Sequence, residues 1–179
     1  MLELDGLTSC TRCELANSRT RVVVGSGPSD PALVVIGEAP GRHEDEGGEP
    51  FVGRSGQLLF RLLSEIGLTR ERCFVTNVVK CRPPANRTPR PREVAACAPW
   101  FDAQLASVGP APLLVLGATA ARAVFGQRLG IGVIHGRVLV AGARRGLATY
   151  HPAAALRAGE RVVALMREDL ATLRTLVDA

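Results

Sequence analysis

An α/β fold, built on a mostly parallel sheet with helices on both faces, is predicted by three features of the sequence. Short apolar runs alternate with helical patterns along the chain. No internal repeat or long low-complexity linker interrupts that alternation. Three of the apolar runs lead into segments of a different character, at residues 38–41, at Asn77 and at His151. In a parallel sheet, ligands bind beyond the carboxyl ends of the strands, where segments far apart in sequence converge.

The elements follow in order. Residues 33–37 (LVVIG) read as a buried strand that ends in the turn Glu38-Ala39-Pro40-Gly41. Residues 55–67 form an amphipathic helix with Ser55 as cap and Gly67 at its end. Residues 73–79 (CFVTNVV) are a second strand, and 82–91 a loop rich in Pro, Arg and Asn. A helix over 93–108 and a third strand over 113–117 follow. A helix then runs from Ala118 to near Phe125. Residues 132–140 read as a hairpin of two short strands, 147–150 as the last strand, and 160–177 as a C-terminal helix.

A chain of 179 residues suggests one domain, with an N-terminal segment of about residues 1–30 ahead of the first strand. Hydrophobic residues make up 46%, enough for a sizeable core. The net charge is +5 and Lys80 is the only lysine, so the positive charge is otherwise arginine. Guanidinium suits phosphate, yet on charge alone a coding bias toward arginine accounts for it equally well. The N-terminus has neither a basic start nor an apolar run, and no stretch is long enough to span a bilayer. A cytoplasmic protein with no membrane association is the expectation.

Five cysteines in such a compartment argue against a disulfide framework. Cys10 and Cys13 form a C-x-x-C pair, Cys81 follows a strand, and Cys97 lies on a predicted helix. Two close and two distant thiolates fit a tetrahedral metal or a cluster held by four cysteines. The competing reading is a redox pair with two core cysteines. Such a pair sits at a helix start after a strand, whereas this one lies in a polar segment with no strand before it. Spacing does not choose between zinc and an iron–sulfur cluster. Cys73 opens an apolar strand and reads as core.

Taken together, these motifs resemble the family 4 uracil-DNA glycosylases. The likeness runs from Cys10 to Arg157 and rests on Cys10-x-x-Cys13, on Gly37-Glu-Ala-Pro-Gly41 followed by Glu44-Asp45, and on Pro50-Phe-Val-Gly-Arg-Ser-Gly56. It continues through Thr76-Asn-Val-Val-Lys-Cys-Arg-Pro-Pro84, Asn86-Arg87, Cys97 and His151-Pro-x-x-x-Leu-Arg157. A single GEAPG string is weak; all of them in this order are specific. The resemblance implies a three-layer α/β/α sandwich around a four-stranded parallel sheet. It also implies a structural [4Fe–4S] cluster on Cys10, Cys13, Cys81 and Cys97. A monomeric enzyme follows, one that starts base excision repair on uracil-containing DNA and leaves an abasic site.

The resemblance also assigns roles, each of which has a chemical rationale. Uracil must be flipped out before its glycosidic bond can be reached. Phe51 would stack the flipped base, although a loop phenylalanine by itself is more often a small satellite core. Asn77 carries the donor and acceptor that complement O4 and N3–H of uracil; cytosine presents the opposite pattern. His151 would donate to O2 as negative charge develops on the departing ring. Glu38, Ala39 and Gly41 would wrap the base. Ala39 occupies the position where other uracil glycosylases carry a water-positioning aspartate. That task passes to Glu38 first and Asn86 second. Leu156 would wedge into the DNA, with Arg157, Arg82 and Arg87 on phosphates.

Three alternatives are weaker. A covalent relative carries a histidine in an inserted loop, and residues 82–91 have neither. The family 5 enzymes lack a polar residue at the position of Glu38. A non-catalytic iron–sulfur or zinc module would not need Phe51, Asn77 and His151 together.

Overall fold

A computed structural model describes residues 6–179. The predicted N-terminal segment is therefore seen from Gly6, and residues 1–5 lie outside the described residues. The sheet contains β1 (Leu33–Gly37), β2 (Cys73–Asn77), β3 (Leu113–Leu116), β4 (Val138–Ala141) and β5 (Arg144–Thr149), in the order β2-β1-β3-β5-β4. The pairs β1–β2, β1–β3 and β3–β5 are parallel, while β4 pairs with β5 antiparallel. The expected four-stranded parallel sheet is thus extended by a fifth, antiparallel edge strand.

Helices α1 (Arg42–Gly47), α2 (Arg54–Glu65), α3 (Pro91–Ser107), α4 (Ala118–Phe125), α5 (Ile131–Ile134), α6 (Pro152–Ala158) and α7 (Glu160–Val177) complete the structure. Both faces of the central strands are buried, so β1 and β3 are continuous apolar runs rather than alternating ones. Leu33 and Val35 pack with α2 and α7 through Leu59, Leu63, Met166 and Leu170. Val34 and Ile36 point the other way, toward Phe101 of α3 and Ala120 of α4. Among the described residues, no helix is long and apolar enough to cross a membrane.

Three local predictions differ. The second strand stops at Asn77; beyond it the N–H groups of Val78 and Val79 donate to the carbonyls of Gly37 and Glu38, at 3.0 and 3.1 Å. The hairpin expected over 132–140 is instead the short α5 followed by β4, whose partner strand begins at Arg144. Arg144 and Arg145 hid that start, since their polar side chains break the apolar pattern. Residues 152–158, for which the sequence pattern predicts no element, form α6; Pro152 stands in its first turn, where a missing N–H costs nothing.

Candidate active site and cysteine centre

The carboxyl ends of β1, β2 and β5 open on one cavity of about 650 Å³, lined by Glu38, Ala39, Gly41, Phe51, Asn77 and His151. Asn86, Arg87 and Arg157 also line it. The three predicted loop segments therefore meet in one place. Leu156 does not line the cavity and is exposed, and Arg82 stands behind Asn86.

Phe51 is buried although it sits in a loop, and its backbone is left-handed, with φ at 56°. Three contacts hold it there. Arg70 Nη2 donates to the Pro50 carbonyl at 2.6 Å. The N–H of Gly53 donates to Glu44 Oε1 at 3.0 Å. Gly56 lies so close that a Cβ there would overlap the Phe51 carbonyl. The Phe51 ring faces the His151 ring, centroids 6.0 Å apart and planes at 30°. Gly37 forms the floor between Phe51 and Asn77: a Cβ on it would overlap Asn77 Oδ1 and stand 2.6 Å from Phe51 Cζ.

Asn77 is 2% exposed, and its Oδ1 is the one buried side-chain polar atom without a partner among the described residues. An orphaned buried acceptor is costly unless a ligand supplies a donor. His151 caps α6, with Nδ1 accepting from the Ala153 N–H at 3.2 Å. Burial lowers the His151 pKa to about 4; Arg157 pushes the same way and Glu44 opposes it. The ring is therefore neutral at physiological pH. With Nδ1 used as acceptor, its proton is on Nε2.

The sequence marks Glu44 only as part of a motif. Its two carboxylate oxygens accept from Gly41 N at 3.1 Å and Gly53 N at 3.0 Å, clipping two walls of the cavity together. The sequence signal was available: Gly41-x-x-Glu44 is a capping pattern. Asn86 follows Ala85 in a doubly left-handed turn, with φ of 54° and 53°. Its Oδ1 accepts from Arg82 Nε at 2.7 Å. Arg87 directs both terminal nitrogens at Glu93, at 2.8 and 2.7 Å, and holds that carboxyl down at about 2. Glu38 is half-buried and has no ion pair among the described residues.

On the α3 side of the sheet, Cys10, Cys13, Cys81 and Cys97 line a second, small pocket with Leu7, Val79 and Trp100. Three of the sulfurs face N–H donors. Trp100 Nε1 reaches Cys10 Sγ at 3.3 Å, Arg19 Nη1 reaches Cys81 Sγ at 3.5 Å, and the Lys80 backbone N reaches Cys97 Sγ at 3.3 Å. Such donors favour thiolates. Without a metal, burial raises Cys81 to about 11. Trp100 was legible in hindsight, one turn after Cys97 on α3; Arg19 was not. Cys73 belongs to the opposite face, among the α2 and α7 contacts, where burial raises it to about 11.

Comparison with known proteins shows the family. The profile of the uracil DNA glycosylase superfamily matches residues 24–174. A type-4 uracil-DNA glycosylase from Thermotoga maritima is 46% identical over 83% of this chain and 78% of its own. One from Pyrobaculum aerophilum is 43% identical over 84% of this chain and 81% of its own. The type-5 enzyme of the same organism is less similar, at 35% over 70% of this chain and 63% of its own. This chain therefore belongs to the uracil-DNA glycosylase superfamily and, within it, to the type-4 enzymes.

Proposed function

We propose that the chain hydrolyses the N-glycosidic bond of uracil in DNA, as a single-domain cytoplasmic monomer, and leaves an abasic site for base excision repair. The observation that carries this is the pairing of an orphaned Asn77 Oδ1 with a neutral His151 in one cavity. Uracil stacked on Phe51 offers Asn77 an N3–H donor and an O4 acceptor. Its O2 takes the Nε2–H of His151, whose donation gains strength as charge builds on the leaving ring. The N–H groups around Ala39 and Gly41 close the rim. Glu38 is the carboxylate available to orient the attacking water; Asn86, with its oxygen already bonded to Arg82, offers its NH₂ instead. Arg157, Arg82 and Arg87 would meet phosphates, Arg87 chiefly by bracing its loop through Glu93. Leu156, exposed on α6, is the wedge.

The four cysteines suit a [4Fe–4S] cluster. A single zinc ion would draw its sulfurs to about 3.8 Å of one another. Among the described residues, no three His, Cys, Asp or Glu side chains gather closely enough to hold one ion. A cuboidal cluster spreads its four thiolates wider and welcomes N–H donors on sulfur. When bound, it would supply structural cross-linking of the N-terminal segment to α3. The test of function is incubation with a uracil-containing oligonucleotide, then alkali. Strand cleavage at uracil is expected; intact strands in both single- and double-stranded substrates would refute the reading.

A further inference from the structure

Lys80 is the only lysine in the chain and is fully buried. Its Nζ donates to Thr76 Oγ1 at 2.6 Å, to the Asn77 carbonyl at 2.7 Å, and to Gln104 Oε1. It also lies 5.4 Å from the centre of the Phe101 ring. None of these contacts is a carboxylate. An apolar side chain of the same length would fill this volume without the penalty of burying a polar amine. What Nζ does there is gather three acceptors at one point directly behind the residue that faces the cavity.

The segment from Asn77 to Cys81 is held from three sides. Val78 and Val79 are bonded to Gly37, the last residue of β1, and to Glu38 just beyond it. The Lys80 N–H is bonded to Cys97 Sγ. Lys80 Nζ closes back on the Asn77 carbonyl and fixes the peptide from which the Asn77 side chain projects. Gln104 extends the brace: its Oε1 also accepts from Thr76 Oγ1 at 2.9 Å, and its Nε2 donates to the Val24 carbonyl.

We infer that Lys80 is a specificity-positioning residue, whose Nζ holds the Asn77 amide in the orientation that accepts uracil and rejects cytosine. This rests on the glycosylase reading above. Free uracil is the probe, because its affinity reports the amide without requiring bond cleavage. Lys80→Met keeps length and removes the donors. The variant should bind free uracil about 10-fold more weakly, the loss of one well-placed hydrogen bond, and should narrow the uracil-to-cytosine affinity ratio. In an Asn77→Ala background the same change should have no further effect on uracil affinity, since residues acting as one unit are not additive. A merely structural loosening would weaken binding in both backgrounds and would overturn the inference. So would a cluster-intact Lys80→Met protein that binds uracil and rejects cytosine like wild type. Thr76→Val removes one acceptor of the brace and keeps the lysine. It should weaken uracil binding by a smaller factor, again only when Asn77 is present, and equal loss in both backgrounds counts against the inference even if Lys80→Met does not fold. Wild-type protein that neither binds nor excises uracil would instead sink the glycosylase reading itself.

Discussion

The backbone N–H of Ala153 lies 3.2 Å from Nδ1 of His151, and that contact decides which ring nitrogen carries the proton. The same helix turn that starts α6 thus fixes the tautomer and leaves Nε2–H as the free donor. Removing that donor should act on bond breaking more than on DNA binding. His151→Ala is expected to slow single-turnover excision by roughly 100- to 1,000-fold, with little change in affinity for uracil DNA. Rate and affinity measured on one oligonucleotide decide the point, and a wild-type rate from folded variant removes His151 from the mechanism.

The depressed His151 pKa has a consequence for stability. The unfolded chain takes up a proton near 6.5, its ordinary value, while the folded site resists until about 4. The unfolded state therefore binds more protons across that window, and stability falls as pH drops from 6.5 toward 4. The loss attributable to this ring is about 3 kcal/mol. His151→Asn should lack that part of the acid dependence. The Glu93 carboxyl, held at about 2, acts at lower pH, from its ordinary carboxylate range down to its own midpoint. An imidazole NMR titration showing His151 midway protonated near 6.5 contradicts the assignment.

Gly37 lies against both Phe51 and Asn77, and a Cβ on it would clash with each. Gly37→Ala should displace both and slow excision on the order of 100-fold, the scale of an ångström misplacement at a reacting site. Phe51→Ala should lose only the stacking, about 1–3 kcal/mol. Single-turnover assays of the two variants, with circular dichroism as the control for folding, give the order; a milder Gly37→Ala would mean that the floor relaxes.

The cysteines divide by sheet face. Alanine at Cys10, Cys13, Cys81 or Cys97 should remove the visible absorbance of the cluster and lower stability, because ligand binding and folding are linked. Cys73→Ala should keep the colour and cost about 1–2 kcal/mol as a small core cavity. Absorption spectra of the five variants suffice. A colourless Cys73→Ala beside a coloured Cys10→Ala would reverse the assignment.

Arg157 lines the cavity mouth and, among the described residues, forms no salt bridge. Arg157→Gln should weaken binding to all DNA sequences alike and reduce the salt dependence of log affinity by about one ion. Titration at several salt concentrations tests it, and an unchanged slope excludes a phosphate contact.

The apolar runs 33–37 and 113–117 are legible as strands in the sequence alone, since a strand buried on both faces is a continuous apolar run, and so are the loops at their carboxyl ends; the third strand ends one residue earlier, at Leu116. The sequence also separated Cys73 from the other four cysteines, because an apolar strand start and a polar C-x-x-C segment differ in composition. Tertiary structure decided the rest. The strand expected within 132–140 finds its partner only in the packed structure, in β5, whose leading arginines mask the pattern. The partner of Asn86 is Arg82, that of Arg87 is Glu93, and that of Lys80 is the carbonyl of Asn77. Spacing along the chain predicts which residues share an element. Which donor meets which acceptor depends on where the elements pack, and that is set by the whole core at once.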